Sequence, residues 1–352
     1  MKPEHIRNHG FNSAGEFYSK VRKACLNIGD PDPRLIRAGK KTAGHMEEGD
    51  DAQGGFLVAE QWADGIFEAA ALEGQIVRPR AKVFNMTSGS LKVRTLVDTD
   101  RSSNIFGGIT YTWTAETGQK SGSNISKPAI GELELTPHKL VASCFVSNEL
   151  EGDYGQFGNF MNLSFGKGLS FIEDEAFFRG TGAGMPLGVL GSGAEITVTR
   201  VVNGQINWED LASMAKRLLP DSWNRAIFLV NPDALDELFE VTAPGANQAS
   251  VIDFSRRQFF GIPIIPSEQC SAIDATGDVM LYDFGHYAIG DRSLEIAASD
   301  KADFASAGGF SYDSTFWRVV LRVDGQPTNV APITPRRGAN TLSPFVVLST
   351  DS

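Results

Sequence analysis

Long apolar runs and paired cysteines are both missing from this 352-residue chain. No stretch of about 18 apolar residues occurs, which argues against a membrane-spanning helix. The start MKPEHIRNHG also lacks the apolar segment of a secretory signal. Three cysteines stand far apart without CxxC spacing, so neither a disulfide framework nor a zinc site is predicted: Cys25, Cys144 and Cys270. We therefore expect folding in a reducing cytosol.

An excess of basic residues is missing as well. Lys and Arg total 32 against 43 for Asp and Glu, which gives a net charge of -11. General affinity for a phosphate backbone requires clustered cations that release counterions. The composition therefore argues against a duplex-binding protein, while 41% hydrophobic residues are sufficient for a globular core.

Catalytic and ligand-binding motifs are not found either. The sequence has no HExxH and no GxSxG, and its five histidines form no metal-binding pair. The glycine-rich stretch 180–184 follows a predicted helix and lacks the Lys-Ser/Thr pair of a phosphate-binding loop, so a chain-reversal loop is the favoured interpretation. No catalytic residue, metal site or cofactor is predicted.

One acidic run resembles a paired acid/base set. Glu173, Asp174 and Glu175 are consecutive within a predicted helix. Consecutive helical side chains point in different directions and cannot converge on one substrate. These carboxylates are therefore predicted to form a solvated or interface-facing edge.

The first 55 residues are rich in Gly, Pro and charge, which is typical of an arm. A short helix is predicted from Ser13, with Phe17 and Val21 on one face and Glu16 as a capping partner. A basic block precedes the acidic run 47–51, a pattern typical of segments that order against a partner; a solvated tail remains an equal alternative. On the first interpretation, deleting residues 1–45 should leave the core folded and prevent assembly.

Alternating and helical patterns follow the arm. A helix is predicted near 62–70, a strand over 77–84, and a long hairpin whose first strand is 91–97 and whose return strand contains Tyr111 and Trp113. A two-stranded ribbon is marginal alone in water, so the hairpin is predicted to lie on a neighbouring subunit. Tyr111 and Trp113 could stack on bases, but anchoring at an interface is favoured because no basic groove accompanies them.

The second half begins with a long predicted helix and continues as an α/β unit. Apolar residues at steps of three and four predict a helix over 156–179. The stripe consists of Phe157, Phe160, Met161, Phe165, Leu169, Ile172 and Ala176. The patterns after it predict a strand at 196–202, a helix capped at Asn207, further short strands, a closing strand at 316–323 and a polar C-terminal tail.

Several short strings occur in a fixed order over residues 54–325. They are GGFLV (54–58), WTAE (113–116), VSNEL (146–150), FFRGTG (177–182), PLGVL (186–190), FLVNP (228–232), GIPI (261–264), LYDF (281–284) and RVDG (322–325). Each string is weak alone, but together and in this order they resemble the major capsid proteins of tailed bacteriophages with the Hong Kong 97 fold.

The resemblance implies an α+β subunit with named parts. These are an N-terminal arm (1–55), an extended β-hairpin loop (86–130), a peripheral domain (56–85, 131–194 and 309–335) with the spine helix, an axial α/β domain (195–308) and a C-terminal tail (336–352). It also implies self-assembly as hexamers and pentamers into an icosahedral shell around double-stranded DNA. Scaffolding, portal and decoration proteins would be partners, with no membrane involved and with assembly in the host cytoplasm.

Residues proposed for subunit contacts are spread over the hairpin and the spine helix. They are Tyr111, Trp113, Glu116, Lys120, Glu173, Glu175 and Arg179. An encapsulin-like nanocompartment shell is the alternative with the same fold, and genomic context would distinguish it. A two-domain α/β enzyme is the alternative of a different class, and it would require a concave polar pocket with perturbed ionisable groups.

Overall fold

The computed structural model describes residues 14–26, 32–35, 56–57, 75–102, 105–111, 113, 129–149, 154–242, 257–300, 303–304, 307–308 and 313–350. The chain divides into two compact units. The first comprises Met1–Ile76, Pro137–Glu173 and Asp291–Val323. The second comprises Val77–Thr136, Asp174–Gly290 and Asp324–Ser352. The predicted helix near 62–70 lies outside the described residues.

The described elements follow in chain order. The helices are α1 (Ala14–Cys25), α2 (Tyr154–Arg179), α3 (Trp208–Arg217) and α4 (Leu235–Glu240). The strands are β1 (Phe56–Leu57), β2 (Lys82–Asn85), β3 (Leu91–Leu96), β4 (Ile105–Phe106), β5 (Ile109–Thr110), β6 (Ile130–Leu135), β7 (His138–Ser147), β8 (Ile196–Thr199), β9 (Ile227–Val230), β10 (Gln258–Phe259), β11 (Ile262–Pro266), β12 (Val279–Tyr282), β13 (Tyr287–Ser299), β14 (Asp303–Phe304), β15 (Ala307–Gly308), β16 (Ser314–Pro327) and β17 (Phe345–Ser349).

The first unit is organised by a sheet with the strand order β1-β13-β16-β7. β7 and β16 are antiparallel over ten residue pairs, from Ser314 opposite Ser147 to Val323 opposite His138. Alternate residues of a strand face opposite sides, so Trp317 is buried on one side of β16 while Arg318 is exposed on the other. The sheet thus has one packed face and one open face.

The helix α1 packs within the first unit, although the arm was expected to order against a partner. Phe17, Tyr18 and Val21 are fully buried, and the Tyr18 ring lies edge-on to Trp317 at 5.5 Å. The Tyr18 hydroxyl donates a hydrogen bond to Asn162 Oδ1 at 2.7 Å. The predicted helix and its apolar face are confirmed, but α1 is part of the folded core of its own chain.

The helix α2 confirms the long helix predicted over 156–179, and its 26 residues span about 39 Å. Its buried row runs in steps of four through Met161, Phe165 and Leu169. Phe160 and Ile172 were predicted inside and are about half exposed. The buried face is therefore narrower and rotated relative to the prediction.

A six-stranded sheet forms most of the second unit, in the order β10-β11-β9-β12-β17-β8. All four residues of β9 are buried, and Phe228 and Val230 share one core with Leu211 and Met214 of α3. The predicted cap of α3 is confirmed, because the Asn207 backbone N–H donates to the Asp210 carboxylate at 2.9 Å.

The prediction of a C-terminal tail at 336–352 is wrong for its apolar residues, 345–348. β17 lies inside the six-stranded sheet, antiparallel to β12 and parallel to β8, and residues 345–348 have no exposed surface. A run of four apolar residues can form a strand that is buried on both faces. The surrounding Pro, Gly and Thr residues hid this signal.

The glycine-rich loop after α2 reverses the chain, as predicted. The Gly188 N–H donates to the Gly180 carbonyl at 2.8 Å, and the Gly182 N–H donates to the Pro186 carbonyl at 3.2 Å. Further along, Gly325 lies where an added Cβ would approach the Tyr287 hydroxyl to 2.7 Å and the Phe177 ring to 2.8 Å. This motif glycine therefore permits close packing in the second unit.

The strand predicted over 77–84 is only partly correct. Residues 77–81 form a turn in which Arg80 and Ala81 donate backbone hydrogen bonds to the Val77 carbonyl at 3.0 and 2.9 Å. Pro79 fixes its own φ and favours a turn at this point. The strand itself, β2, covers only Lys82–Asn85 and pairs with β13.

Candidate assembly interface

The predicted hairpin exists, but its return strand was assigned to the wrong residues. β3 pairs with β6, from Leu91 opposite Leu135 to Leu96 opposite Ile130, and not with the segment around Tyr111. The small β4–β5 hairpin lies within the long connection. Sequence proximity favoured the nearer segment, whereas the alternation of β6 matches β3 over six pairs.

The two faces of the hairpin differ in what they contact. On the inner face, Leu133 and Leu135 are buried with Met86 and Ala288 of the same unit. On the outer face, the opposed side chains of Leu96 and Ile130 are 51% and 61% exposed. The hairpin thus packs on its own chain through one face and leaves an apolar pair on the other.

Charged pairs continue the outer face beyond the apolar pair. Lys92 Nζ lies 2.5 Å from Glu132 and 3.7 Å from Glu134. The hydrogen bond from Lys92 lowers the pKa of Glu132, and the same bond raises the pKa of Lys92. Such exposed ion pairs contribute little to stability. Because breaking them costs little free energy, these side chains can pair instead with charges on a partner surface.

The connection between β3 and β6 has a defined local structure near β4. Asp98 accepts a hydrogen bond from Arg101 Nε at 2.6 Å, and the Arg101 guanidinium lies 4.9 Å from the centre of the Phe106 ring. Gly107 has φ +59, and a Cβ there would collide with Leu96 at 2.4 Å. The tight turn brings Phe106 and Ile109 to the surface, where both are exposed.

The structure separates the seven residues predicted for subunit contacts. Tyr111 is mostly exposed and Trp113 is fully exposed, and their role as interface anchors stays a prediction. Glu116 and Lys120 lie outside the described residues.

Glu173 does not lie at a solvated or interface-facing edge, because it is only 2% exposed. The Gln75 side-chain amide donates to Glu173 Oε2 at 2.9 Å. Asp174 is buried as well, and the Val77 N–H donates to it at 3.3 Å. A buried carboxylate requires such hydrogen bonds, so both residues serve the interior of the chain.

Glu175 and Arg179 remain partly exposed at the end of α2. Their nearest charged atoms are 4.0 Å apart. Arg179 also donates to the Gln269 carbonyl at 3.2 Å and to Ser271 Oγ at 2.7 Å. Arg179 is therefore engaged within its own unit, and only Glu175 keeps a largely accessible side chain.

The exposed apolar residues of the hairpin were missed as contact candidates. Leu96, Ile130, Phe106 and Ile109 were not selected from the sequence. The signal that could have found them is the strand register, since Leu96 and Ile130 fall on the polar side of their strands. An apolar residue on a solvent-facing strand position marks an interaction surface.

Membrane-spanning helices and metal sites are both absent from the described residues. None of their helices is both long enough and apolar enough to cross a bilayer. They also contain no group of three or more His, Cys, Asp or Glu side chains arranged to hold a metal ion.

Comparison with known structures relates this fold to capsid shells. The capsid of a native GTA particle is 18% identical over 81% of this chain and 91% of that chain, with a TM-score of 0.59. A chain of Mycobacterium phage Adephagia is 16% identical over 78% and 90%, with a TM-score of 0.54. A chain of Microbacterium phage Oxtober96 is 13% identical over 89% and 96%, also with a TM-score of 0.54.

The family comparison covers most of the chain. No curated protein matches the sequence. A sequence model described as the phage capsid family matches residues 54–337, which include the hairpin, α2 and most of the six-stranded sheet. The chain therefore belongs to the phage capsid family and is a major capsid protein of a tailed phage.

Proposed function

We propose that this capsid protein assembles as hexamers and pentamers into an icosahedral shell that encloses double-stranded DNA. The observation that carries the proposal is the exposed apolar pair Leu96 and Ile130 on the outer face of the hairpin; Trp113, in the connection between β3 and β6, is fully exposed as well. Clustered exposed apolar side chains are costly in a monomer and mark a protein contact. A second copy of the chain would cover them.

A matching surface is available on the open face of the β7–β16 pair. Val141 and Phe145 are exposed there, and the Phe145 ring lies 5.1 Å from Phe316. The exposed cation Lys139 lies at one end of this patch, and Arg318 lies between its two apolar positions. The outer face of the hairpin likewise combines an apolar pair with charged side chains of both signs, so the two surfaces of neighbouring copies agree in polarity.

The parts of the subunit take the roles that the family suggests. The arm (1–55) and the extended hairpin overlap neighbours, the peripheral domain carries α2, and the axial domain (195–308) faces the centre of each capsomer. Two boundaries change: the extended loop runs to the end of β6, and β17 joins the axial sheet. Because α1 is part of the core, only the remainder of the arm is available for overlap.

Other partners follow from shell assembly. A scaffolding protein, a portal and decoration proteins would join the shell during assembly in the host cytoplasm. The net charge of -11 supports weak, non-specific contact with packaged DNA, since like charges limit adhesion. The role is structural, without catalysis.

Assembly of the full chain tests the proposal. Negative-stain microscopy and sedimentation of the purified chain should reveal closed shells or capsomer rings, alone or with a scaffolding protein. Ile130→Asp should abolish these particles, because it places a charge in the apolar contact. Val202→Asp, the same kind of change at another exposed β-branched apolar residue, is the matched control and should assemble normally. A monomer under all conditions, or an Ile130→Asp chain that assembles normally, would contradict the proposal.

A further inference from the structure

A cleft of about 410 Å³ lies within the second unit, beside the inner face of the hairpin. Its walls come from β2, β3, the start of β13 and the segment 328–333. Apolar side chains form much of the lining, including Phe84, Val93, Leu133 and Ile333. The volume is in the range of pockets that bind a small ligand or one large side chain of a partner.

The rim of the cleft is basic. Lys82, Arg101 and His286 line it together with one carboxylate, Asp98, which is bound to Arg101 at 2.6 Å. Arg94 also borders the cleft, but its strand position places its side chain on the outer face of the hairpin. Within the described part of the chain, Lys82 has no carboxylate within 4.0 Å. A net positive rim over an apolar floor favours an apolar side chain that is accompanied by a carboxylate.

His286 adds an unused polar atom to this rim. Its Nε2 is buried and has no hydrogen-bond partner among the described residues, and the nearest carboxylate oxygen, on Asp283, is 3.8 Å away. Asp283 is already bound by Arg225 at 3.0 Å and by the Gly285 N–H at 2.9 Å. An incoming carboxylate would give His286 the partner it lacks.

The helix α4 carries the complementary chemistry. Its exposed residues include Asp236, Phe239 and Glu240, while Leu238 anchors the helix in the core. Glu237 is used internally, since it accepts the Ile206 N–H at 3.3 Å. The sequence contains no Lys or Arg between Arg225 and Arg256, so no basic residue close in sequence compensates these carboxylates.

We propose that α4 of one copy docks in the cleft of a second copy, with Phe239 over the apolar floor and Glu240 facing Lys82 and His286. The inference rests on the proposed self-assembly and names one contact within it. One aromatic ring and an adjacent carboxylate match the size and polarity of the cleft. Complementary charges would fix the register of the two copies.

The contact should respond to pH. Burial lowers the pKa of His286, Lys82 and Arg225 lower it further, and Asp283 and a hydrogen bond with Asn329 oppose the shift. A docked carboxylate favours the protonated imidazole, so docking takes up a proton. Association should therefore strengthen as the pH falls toward the His286 pKa, and His286→Gln should remove this dependence.

Charge reversal with rescue tests the contact. Sedimentation velocity over a concentration series gives the midpoint concentration for association of the full chain. Lys82→Glu and Glu240→Lys should each raise this midpoint about tenfold, because each places like charges opposite one another. The double variant Lys82→Glu/Glu240→Lys should restore it, as should a mixture of the two single variants. Lys216→Glu, on the exposed side of α3, is the matched control and should leave the midpoint unchanged.

The outcomes separate the two proposals. A wild-type chain that assembles while Lys82→Glu and Glu240→Lys assemble equally well would overturn the docking of α4 alone. Single variants that fail without rescue in the double variant would overturn it too. A wild-type chain that never associates would overturn both the contact and the proposed function. Circular dichroism of each variant shows whether the fold is kept, and the mixture remains informative because each single variant supplies one intact surface.

Discussion

The helix α1 and the outer end of the hairpin both contain aromatic and basic side chains, yet their apolar surfaces have opposite fates. In α1, Phe17 and Tyr18 are fully buried against the same chain. At the hairpin, Trp113 and Ile130 face solvent. The hairpin was predicted to lie on a neighbouring subunit, and ordering against a partner was one of two equal alternatives for the arm. Of the two described segments, the hairpin keeps exposed apolar surface for a partner.

This contrast separates two contributions to a capsid subunit. Apolar residues enclosed by their own chain contribute to the free energy of unfolding of the monomer. Apolar residues left outside contribute only when a second copy covers them. Variants in the two regions should therefore move different measurements, folding in one case and assembly in the other.

The largest effect is expected from removing β17, which, like α1, is enclosed by its own chain. A chain that stops after Pro344 loses residues 345–348, four fully buried apolar side chains. At about 1.5–3 kcal/mol each, their loss approaches the whole stability of a typical domain. We expect the second unit not to fold, as measured by circular dichroism and limited proteolysis. A chain that stops after Ser349 is the control; equal stability of both truncations would contradict this role of β17.

The next largest effect is expected in α1. Phe17→Ala should lower the free energy of unfolding by about 3–5 kcal/mol, because it leaves a cavity beside Tyr18. Urea denaturation provides the measurement. Lys23→Ala, on the exposed side of the same helix, should change stability by less than about 0.5 kcal/mol. If Phe17→Ala is as stable as the wild type, α1 does not contribute to the free energy of unfolding, and its role would be in assembly, like that of the hairpin.

This prediction also revises the expectation for the arm. Removing residues 1–45 takes away α1 together with Arg22, which donates to Asn148 Oδ1 at 2.8 Å. The deletion should therefore destabilise the first unit and not merely prevent assembly. Removing residues 1–12 keeps α1 and should leave folding intact, so the pair of deletions distinguishes the two roles.

A half-buried carboxyl and an exposed one should give opposite pH responses. Burial raises the pKa of Glu195 to about 7, against the hydrogen bond it accepts from the Gly191 N–H. The folded chain then holds a proton that the unfolded chain releases near pH 4.5, so stability is lost as the pH rises from about 4.5 to 7. The shift corresponds to at most about 3 kcal/mol.

Urea denaturation at several pH values measures this effect. Glu195→Gln should flatten the loss of stability between pH 4.5 and 7 while keeping an oxygen acceptor for Gly191. For Glu132 on the hairpin the sign is reversed, because Lys92 lowers its pKa and the contribution is lost as the pH falls. An unchanged profile in Glu195→Gln would show that this carboxyl is not the group that titrates.

The smallest effect on folding is expected from Trp113→Ser. The side chain is fully exposed, so the free energy of unfolding should stay within about 0.5 kcal/mol of the wild type. Its effect should appear in assembly, with the midpoint concentration raised about tenfold if the ring anchors a subunit contact. Sedimentation measures assembly and urea denaturation measures folding. If Trp113→Ser loses stability but assembles normally, Trp113 contributes to folding and not to assembly, which would contradict the role given to the hairpin.

Sequence patterns predicted correctly those elements whose structure depends mainly on residues close together in the sequence. The cap at Asn207 and the apolar face of α3 were readable because spacing and burial agree there. The pairing of β3 with β6 was not readable, since about 33 residues separate Leu96 from Ile130 and the partner depends on register. Glu173 was misjudged because its hydrogen-bond donor, Gln75, is distant in sequence.

The candidate contact surface was predictable only in part. Trp113 and Tyr111 stood out as aromatic residues in a polar segment, and both are exposed. Leu96 and Ile130 look like ordinary strand residues until the register places them on the outer face. Lys82 and His286 could not have been joined from the sequence, because β2 and the turn before β13 meet only in the folded unit.

The place of β17 in its sheet has a consequence for synthesis of the chain. β8 is joined to the rest of its sheet through β17, its parallel partner about 150 residues later. At about 5–20 residues per second, the ribosome delivers β17 roughly 7–30 s after β8 has been made. Until β17 has been made, β8 and, once it is synthesised, β12 each lack this neighbour, so a nascent chain cannot close the sheet. The order of the strands thus makes synthesis of β17 a checkpoint before any subunit is competent to enter a shell.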